Sequence, residues 1–459
     1  MEDPKPKFVN VKKEEYYDVF ETYILNTCKK EEYFLIRYLP KTEGKGLWYM
    51  YEEGAYKEVP RQVIERFYYE AMDIKLEHKS TGNLTFCMNA LKGWVLMAWA
   101  DWQDHDPEWE NCLDGMINLY ERKLYPHHPK FMMKRQTPRH FFADVVLIPE
   151  KFDRLMTIFL DDYVREKFIK FFLAVVHKKM EWQKFVLLYG ETGSGKSTVL
   201  QIFAEIYGKL QASHTKLQVM GKRFGLDDMY DKRVNVHADL PMVDIGPYTI
   251  SEVKMLTGED GGDITVEIKG ATKFNYPINC FLAFGINELV GFTDKAEKEI
   301  DSWMKRAVLC ECPQILPEDS EFKKSIRDAT FLDELYSWAI NTRPMRFYDP
   351  GEEKEWIRMN KEEWLLKCNP ILRILKENYE WCAPDEAPDL TKIVQKIPCD
   401  EVEFFVRDEL LNNGDLVPSQ LRNKITVAFR AIKVGRNSKT GGKAKYINVV
   451  KKLEVQKDD

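Results

Sequence analysis

The stretch "FVLLYGETGSGKSTVL", Phe185 to Leu200, decides how the chain is read. Its middle, Gly190 to Ser197, fits G-x-x-x-x-G-K-[ST]. The flanks suit that pattern: "FVLLY" is a short apolar run typical of a buried parallel strand, and "STVLQIFAEIYG" has helical apolar spacing. In such a strand–loop–helix, glycines let backbone N–H groups converge on phosphate oxygens, and the helix N-terminus adds partial positive charge. Gly190, Glu191, Thr192, Gly193, Ser194, Gly195, Lys196, Ser197 and Thr198 are therefore the expected phosphate-binding residues. Lys196 is expected on the β- and γ-phosphates and the Ser197 hydroxyl on Mg²⁺, which makes ATP and Mg²⁺ the expected cofactors.

Working outward, a P-loop site needs an acid at the end of a neighbouring strand. "KRVNVHADLP" supplies Asp239 after an alternating apolar run; Asp244 and the pair Asp227–Asp228 lack such a strand. From Phe185 to about Pro313 short β runs alternate with helical ones, an α/β pattern. Upstream, apolar residues recur at three- and four-residue spacing from Arg154 to Lys179, which predicts helix ending just before the loop strand. Before Pro149, aromatic strand runs ("YFLIRYL", "GLWYMY") mix with helical stretches such as "RQVIERFYYEAMDI".

Bulk properties narrow the class. The chain has 459 residues, 44% hydrophobic and 13% aromatic, enough apolar surface for folded cores and long enough for about three domains. Net charge is −6, which does not mark a nucleic-acid binder overall. Charge is unevenly placed, however. Between Asp415 and Glu454 there is no acid, while Arg422, Lys424, Arg430, Lys433, Arg436, Lys439, Lys443, Lys445, Lys451 and Lys452 all occur. Helical patterns followed by the basic "KVGRNSKTGGKAKYINVV" suggest a winged helix laying cations along phosphates; a solvated basic tail is the plainer alternative.

Nine scattered cysteines suit free thiols in a reducing, intracellular setting, and Cys310-Glu311-Cys312 reads as strand filler. His127–His128 reads as a surface turn. No apolar run reaches the roughly 20 residues of a membrane helix, and the N-terminus lacks a signal-peptide pattern. A cytoplasmic protein without membrane partners is expected.

"VKMLTGEDGGDITVEIKG" and "FLAFGINEL" resemble the B′ motif and sensor strand of superfamily 3 helicases, most closely the phage, plasmid and archaeal-element primase-helicase type (poxvirus D5-like). "GLWYMYEEGAY" and "NCLDGMINLYERKLYPHHPKFMMKRQTP" are similar to that family's helicase-associated N-terminal domain. The resemblance covers most of residues 30 to 313.

It implies a multidomain fold: a mainly helical collar-like domain (1–150), an α/β AAA+-like core (151–345), and a linker with a C-terminal winged helix (346–459). Lys254, Thr257, Gly258 and Asp260 or Asp263 would be the B′ signature. Asp239 would serve as the Mg²⁺-holding acid, Asn287 as the sensor that polarises water, and Arg306 of "SWMKRAVL" as a finger on a neighbouring subunit's nucleotide. Lys269 and Lys273 would lie on a hairpin contacting single-stranded DNA, and Arg436, Lys439, Lys443 and Lys445 on the wing. Taken from the residues alone, the plainer alternatives are that Asn287 ends a strand and that Arg306 lies on the surface.

The expected activity is ATP-dependent DNA unwinding by a homo-oligomeric ring, a hexamer, on single-stranded and forked DNA. The chain would act alone or joined to a primase during replication of a mobile element, virus or plasmid. Two other readings stay open: an ATP-switched winged-helix DNA binder without unwinding activity, and a small-molecule phosphotransferase.

Overall fold

The computed structural model describes residues 13–27, 36–42, 45–72, 81–96, 106–220, 222, 224–258, 263–267, 274–277, 280–380, 395–413, 417–418, 421, 425, 446–449 and 451–452. Two compact units form, neither continuous in sequence. The first comprises residues up to Leu240, Tyr248–Asn287 and Arg306–Asp349; the second comprises Pro241–Pro247, Glu288–Lys305 and the chain from Pro350.

In the first unit the N-terminal residues form helices α1 (Lys13–Thr27), α2 (Arg61–Ala71) and α3 (Thr81–Trp94), with strands β1 (Ile36–Thr42), β2 (Lys45–Glu52) and β3 (Ala55–Val59). β1-β2-β3 is an antiparallel sheet. Its β2–β3 hairpin turns at Glu53 and Gly54, whose φ angles of 49° and 89° give the doubly left-handed turn that matches strand twist. Phe20, Trp48, Ile64, Tyr68, Met88 and Leu91 fill the core between helices and sheet.

A second antiparallel sheet, β4 (Trp109–Cys112), β5 (Gly115–Asn118) and β6 (Lys123–Tyr125), follows. The segment expected to be mainly helical is therefore mixed. Its aromatic runs pair as strands because each is short and bounded by turn residues. His127 is held inside this part, its Nε2 2.9 Å from Cys112 O and 3.1 Å from Asn111 Oδ1, while His128 Nδ1 accepts from the Lys130 N–H at 3.1 Å.

The α/β core begins with helices α4 (Glu150–Met156) and α5 (Asp162–Val176). The single periodic run expected from Arg154 to Lys179 is broken between them. Asp161 adopts an extended conformation and its side chain accepts from the Tyr163 N–H, so it caps α5 and starts a new helix. The loop strand β7 (Phe185–Tyr189) leads to α6 (Lys196–Tyr207), then β8 (Ala212–Ser213), α7 (Leu217–Met220), β9 (Val234–His237) and α8 (Pro247–Leu256). A hairpin of β10 (Asp263–Val266) and β11 (Phe274–Pro277) precedes β12 (Phe281–Ile286), α9 (Ile300–Arg306), β13 (Ala307–Glu311), α10 (Ser320–Ser325) and α11 (Ala329–Asn341).

The five-stranded sheet is parallel, in the order β13-β7-β12-β9-β8. β7 and β12 are buried at every residue, which is why both read as unbroken apolar runs rather than alternating ones. An aromatic layer packs α5 and α11 against α6: Phe172 meets Phe203 and Trp338, and Phe171 meets Phe203 and Phe281. Each such ring contributes about 1.5–3 kcal/mol by burial.

One buried charge cluster ties β4 to the core. Glu110, 2% exposed, pairs with Lys178 Nζ at 3.0 Å and Arg233 Nη2 at 2.9 Å and accepts from the Thr137 hydroxyl at 2.7 Å. Burial pushes its carboxyl upward, but the two cations outweigh that and hold it at about 2.

In the second unit α12 (Glu353–Cys368) packs on residues 288–305 through Trp364, Trp303 and Phe292. Trp364 Nε1 donates to Val290 O and Asn360 Nδ2 to Met304 O, both at 2.9 Å. α13 (Pro370–Asn378) and α14 (Cys399–Asn412) share a core of Leu372, Leu375, Val402, Val406 and Leu410. Two short antiparallel ladders join β14 (Tyr379–Glu380) with β17 (Lys451–Lys452) and β15 (Gln395–Pro398) with β16 (Tyr446–Val449). Most of the expected winged-helix segment, including Arg436, Lys439, Lys443 and Lys445, lies outside the described residues. Among the described residues no helix is long and apolar enough to cross a membrane.

Candidate functional site

All five parallel strands end at the same edge, where ligands of open α/β sheets bind. β7 delivers the glycine loop there, β12 delivers Asn287, and β9 delivers Asp239 two residues beyond its last paired residue. β12 lies between the other two strands, so Asn287 comes between the glycine loop and Asp239 in strand order.

Close main-chain approaches fix this edge. Gly190 N–H donates to Asn287 O at 3.1 Å, and Leu240 N–H to Gly285 O at 2.8 Å. Both depend on glycine. A Cβ on Gly285 would lie 2.5 Å from Ala238 O, and one on Gly190, at φ 147°, would lie 2.2 Å from Cys312 O.

The loop is anchored by its own lysine. Lys196 Nζ donates to Gly190 O at 2.5 Å, Glu191 O at 2.8 Å and Ser194 Oγ at 3.2 Å. Burial lowers the Lys196 pKa, and the Asp239 carboxylate opposes the shift.

α6 starts at Lys196 with no acid in its first turn, and Gly195, at φ 87°, turns the chain into it. That leaves the helix N-terminus open to an anion. Ser197 and Asp239 are exposed, Asn287 and Thr198 half-buried. The groups here that could hold a polyphosphate are the α6 N-terminus and Lys196, and those that could hold a divalent cation are the Ser197 hydroxyl and the Asp239 carboxylate.

Lys254, Thr257 and Gly258 end α8: Thr257 Oγ1 donates to Val253 O at 2.6 Å, and Gly258 closes the helix at φ 84°. Asp263 opens β10 opposite Pro277. Asp260, Lys269 and Lys273 lie outside the described residues.

Arg306 differs from its expected role. It ends α9 but is only 2% exposed, and its Nε donates to Thr257 Oγ1 at 3.0 Å. A finger acting on a neighbour's nucleotide needs an accessible guanidinium, and this one is spent inside the fold. The reason is its place one residue before the buried strand β13, which draws the side chain inward. Lys305, half-buried, pairs with Glu353 at 3.0 Å.

Two contributors escaped the sequence. Residues 312–316 lie along the loop: Cys312 N–H donates to Tyr189 O at 2.7 Å and Leu316 N–H to Gly193 O at 3.1 Å. His237, just before Ala238-Asp239, has its pKa lowered by burial and by Lys216, with Asp239 opposing. Neither carries a local motif; both arrive through strand pairing. Cys310 and Cys312 are buried, and burial raises the Cys312 thiol to about 12, consistent with strand filler. No group of three or more metal-ligating side chains occurs among the described residues.

A family model described as "Family of unknown function (DUF5906)" matches residues 188–305, from β7 to the end of α9. No curated protein matches. Among solved structures the chain is similar to "The A form apo structure of NrS-1 C terminal region-CTR", with 13% identity and a TM-score of 0.48 over 95% of this chain and 99% of that one. It is similar also to "The apo structure of NrS-1 C terminal region (305-718)", again at 13% identity and TM-score 0.48, over 95% of this chain and 98% of that one.

Proposed function

We propose that this chain is an ATP-driven motor that assembles into a ring and unwinds DNA. The observation that carries the proposal is the shared sheet edge. Gly190–Thr198, Asn287 and Asp239 emerge together there, with the Asn287 strand between the other two.

In this reading Lys196 exchanges its contacts to Gly190 O and Glu191 O for the β- and γ-phosphates. Ser197 and Asp239 hold Mg²⁺, which when bound neutralises charge on the phosphates. Asn287 orients the attacking water without adding charge, and its main chain is already tied to Gly190. DNA contacts are assigned to Lys269 and Lys273, between β10 and β11 in the sequence, and to Arg436, Lys439, Lys443 and Lys445. The link to DNA rests on the resemblance of the B′ and sensor stretches and on the acid-free basic tail.

The test is the ATP hydrolysis rate with and without single-stranded DNA, together with strand displacement on a forked duplex. Stimulation by single strands and displacement that Lys196→Ala abolishes are expected. Displacement retained by Lys196→Ala would sink the proposal.

A second reading, an ATP-switched winged-helix DNA binder that unwinds nothing, is favoured by the burial of Arg306, which withholds the expected cation from a neighbouring site. Slow hydrolysis with no displacement would select it.

A further inference from the structure

The two groups assigned above to a divalent cation come from different elements. Ser197 lies in the first turn of α6, whereas Asp239 follows β9. Their spacing depends on how α6 and β9 are offset along the sheet. α6 runs back from the site edge and β9 runs toward it, so the end of α6 and the start of β9 lie at the opposite edge. There the Arg233 N–H, just before β9, donates at 2.8 Å to the carbonyl of Gln211, shortly after α6.

One piece of the chain grips both of these far ends. Residues 137–139 lie along β4: the Thr137 N–H donates to Asn111 O at 2.8 Å and the Leu113 N–H to Arg139 O at 3.0 Å. From that segment the Arg139 guanidinium reaches the last turn of α6. Its Nη2 donates to Glu205 O at 2.7 Å and its Nε to Ile206 O at 3.1 Å. A helix leaves its last carbonyls without intrahelical donors, and the flat fork of an Arg serves two of them at once. The side chain is 12% exposed, and Asp333 Oδ1, 3.5 Å from Nη1, balances its charge. From β4 itself, Glu110 holds Arg233 at the start of β9.

We propose that Arg139 is a positioning residue for the divalent cation: acting from β4 together with Glu110, it fixes the offset of α6 against β9 and so the spacing of Ser197 and Asp239. This rests on the loop being a nucleotide site, as proposed above.

Phosphate and cation then respond differently to its loss. The phosphate donors, in the loop and the first turn of α6, belong to one continuous stretch and move with the ligand. The cation is shared between two elements and feels their offset. A 12-residue helix carries a shift of its last turn to its first, over about 18 Å. Mg²⁺ requires oxygens at about 2.0–2.1 Å in near-octahedral geometry, while Ca²⁺ accepts irregular sets at about 2.3–2.6 Å. A small offset therefore penalises Mg²⁺ more than Ca²⁺.

The test is mant-ATP affinity of the full chain in EDTA and in titrations with MgCl₂ or CaCl₂, with thermal melting of the same samples. Arg139→Lys keeps the charge but cannot span both carbonyls. A second variant, Arg139→Met with Asp333→Asn, leaves no charge buried alone and keeps an acceptor for the His140 N–H, which donates to Asp333 Oδ1 at 3.2 Å. It decides alone where the first does not fold. Both are expected to bind mant-ATP in EDTA within about twofold of wild type, to need about five- to tenfold more Mg²⁺ for half its effect, and to keep their Ca²⁺ requirement within about twofold.

An unchanged Mg²⁺ requirement would overturn the proposal even where melting falls, because Arg139 would then serve stability alone. Equal weakening with both cations would overturn it too, as would loss of mant-ATP binding in EDTA, since neither effect comes from the Ser197–Asp239 spacing. If wild type binds mant-ATP and neither cation alters the affinity, this inference falls and the nucleotide site stands. If wild type binds no nucleotide, both readings fall.

Discussion

Arg306 Nε donates to Thr257 Oγ1 at 3.0 Å, and that bond ties the end of α8 to the end of α9, just before β13. Thr257 in turn back-bonds to Val253 O, so the hydroxyl is donor and acceptor at once. Both side chains are buried. Arg306→Met is expected to lower stability by about 2–4 kcal/mol, through lost packing and a buried Thr257 oxygen deprived of its donor. With Thr257→Val it is expected to show a coupling of about 1 kcal/mol in a double-mutant cycle by urea unfolding. Unchanged stability in Arg306→Met would instead return the residue to a role at the surface.

Lys196→Ala separates anchoring from ligand binding. The ammonium is buried on carbonyls of its own loop, where its burial already disfavours the charge. Stability is expected to change by less than about 1 kcal/mol, while mant-ATP affinity falls by about a hundredfold. Thermal melting and fluorescence titration on the same sample distinguish the two effects.

Gly190→Ala probes the closest main-chain approach at the site. The new methyl would meet Cys312 O at a backbone angle that L residues rarely adopt, so β7 and β13 must part. A loss of about 2–4 kcal/mol is expected, together with loss of nucleotide binding. A variant with wild-type melting would show that the loop and residues 312–316 do not hold this contact in solution.

Asp239→Asn and Asn287→Ala are expected to keep nucleotide affinity within about threefold and to cut turnover by about 10² or more. Asn287 meets Gly190 through its main-chain oxygen, so removing the side chain leaves that tie intact. Single-turnover hydrolysis is the measurement; normal turnover in either variant would remove that residue from the chemistry.

Acid should weaken the first unit through His177. Burial lowers its pKa from 6.5 to about 4, while Nε2 lies 2.9 Å from Ala339 O. The unfolded chain therefore binds a proton near pH 6.5 that the folded chain refuses until about pH 4. Stability is expected to fall by about 3 kcal/mol as pH drops through that window and to be unaffected by this group above it. His177→Gln should flatten that part of the pH profile in denaturant titrations.

Which parts of this were legible in the sequence follows from the range of the forces involved. The succession of strand β7, glycine turn and helix α6 was, because the three are consecutive and each glycine acts on its own backbone. Asp239 and Asn287 were legible as strand-end residues, but not as neighbours. The break at Asp161 was obscured because apolar spacing continues through Thr157–Asp161 while a single cap residue ends the register.

The amino-acid order by itself determined a strand, a glycine-rich turn and a helix, and the candidate acid and amide that follow them. Only the tertiary structure decided that β12 stands between β7 and β9, that Arg306 turns inward onto Thr257, and that Arg139 reaches the last turn of α6. Strand neighbours and side-chain burial are set by contacts between residues far apart in the chain, which no local spacing encodes.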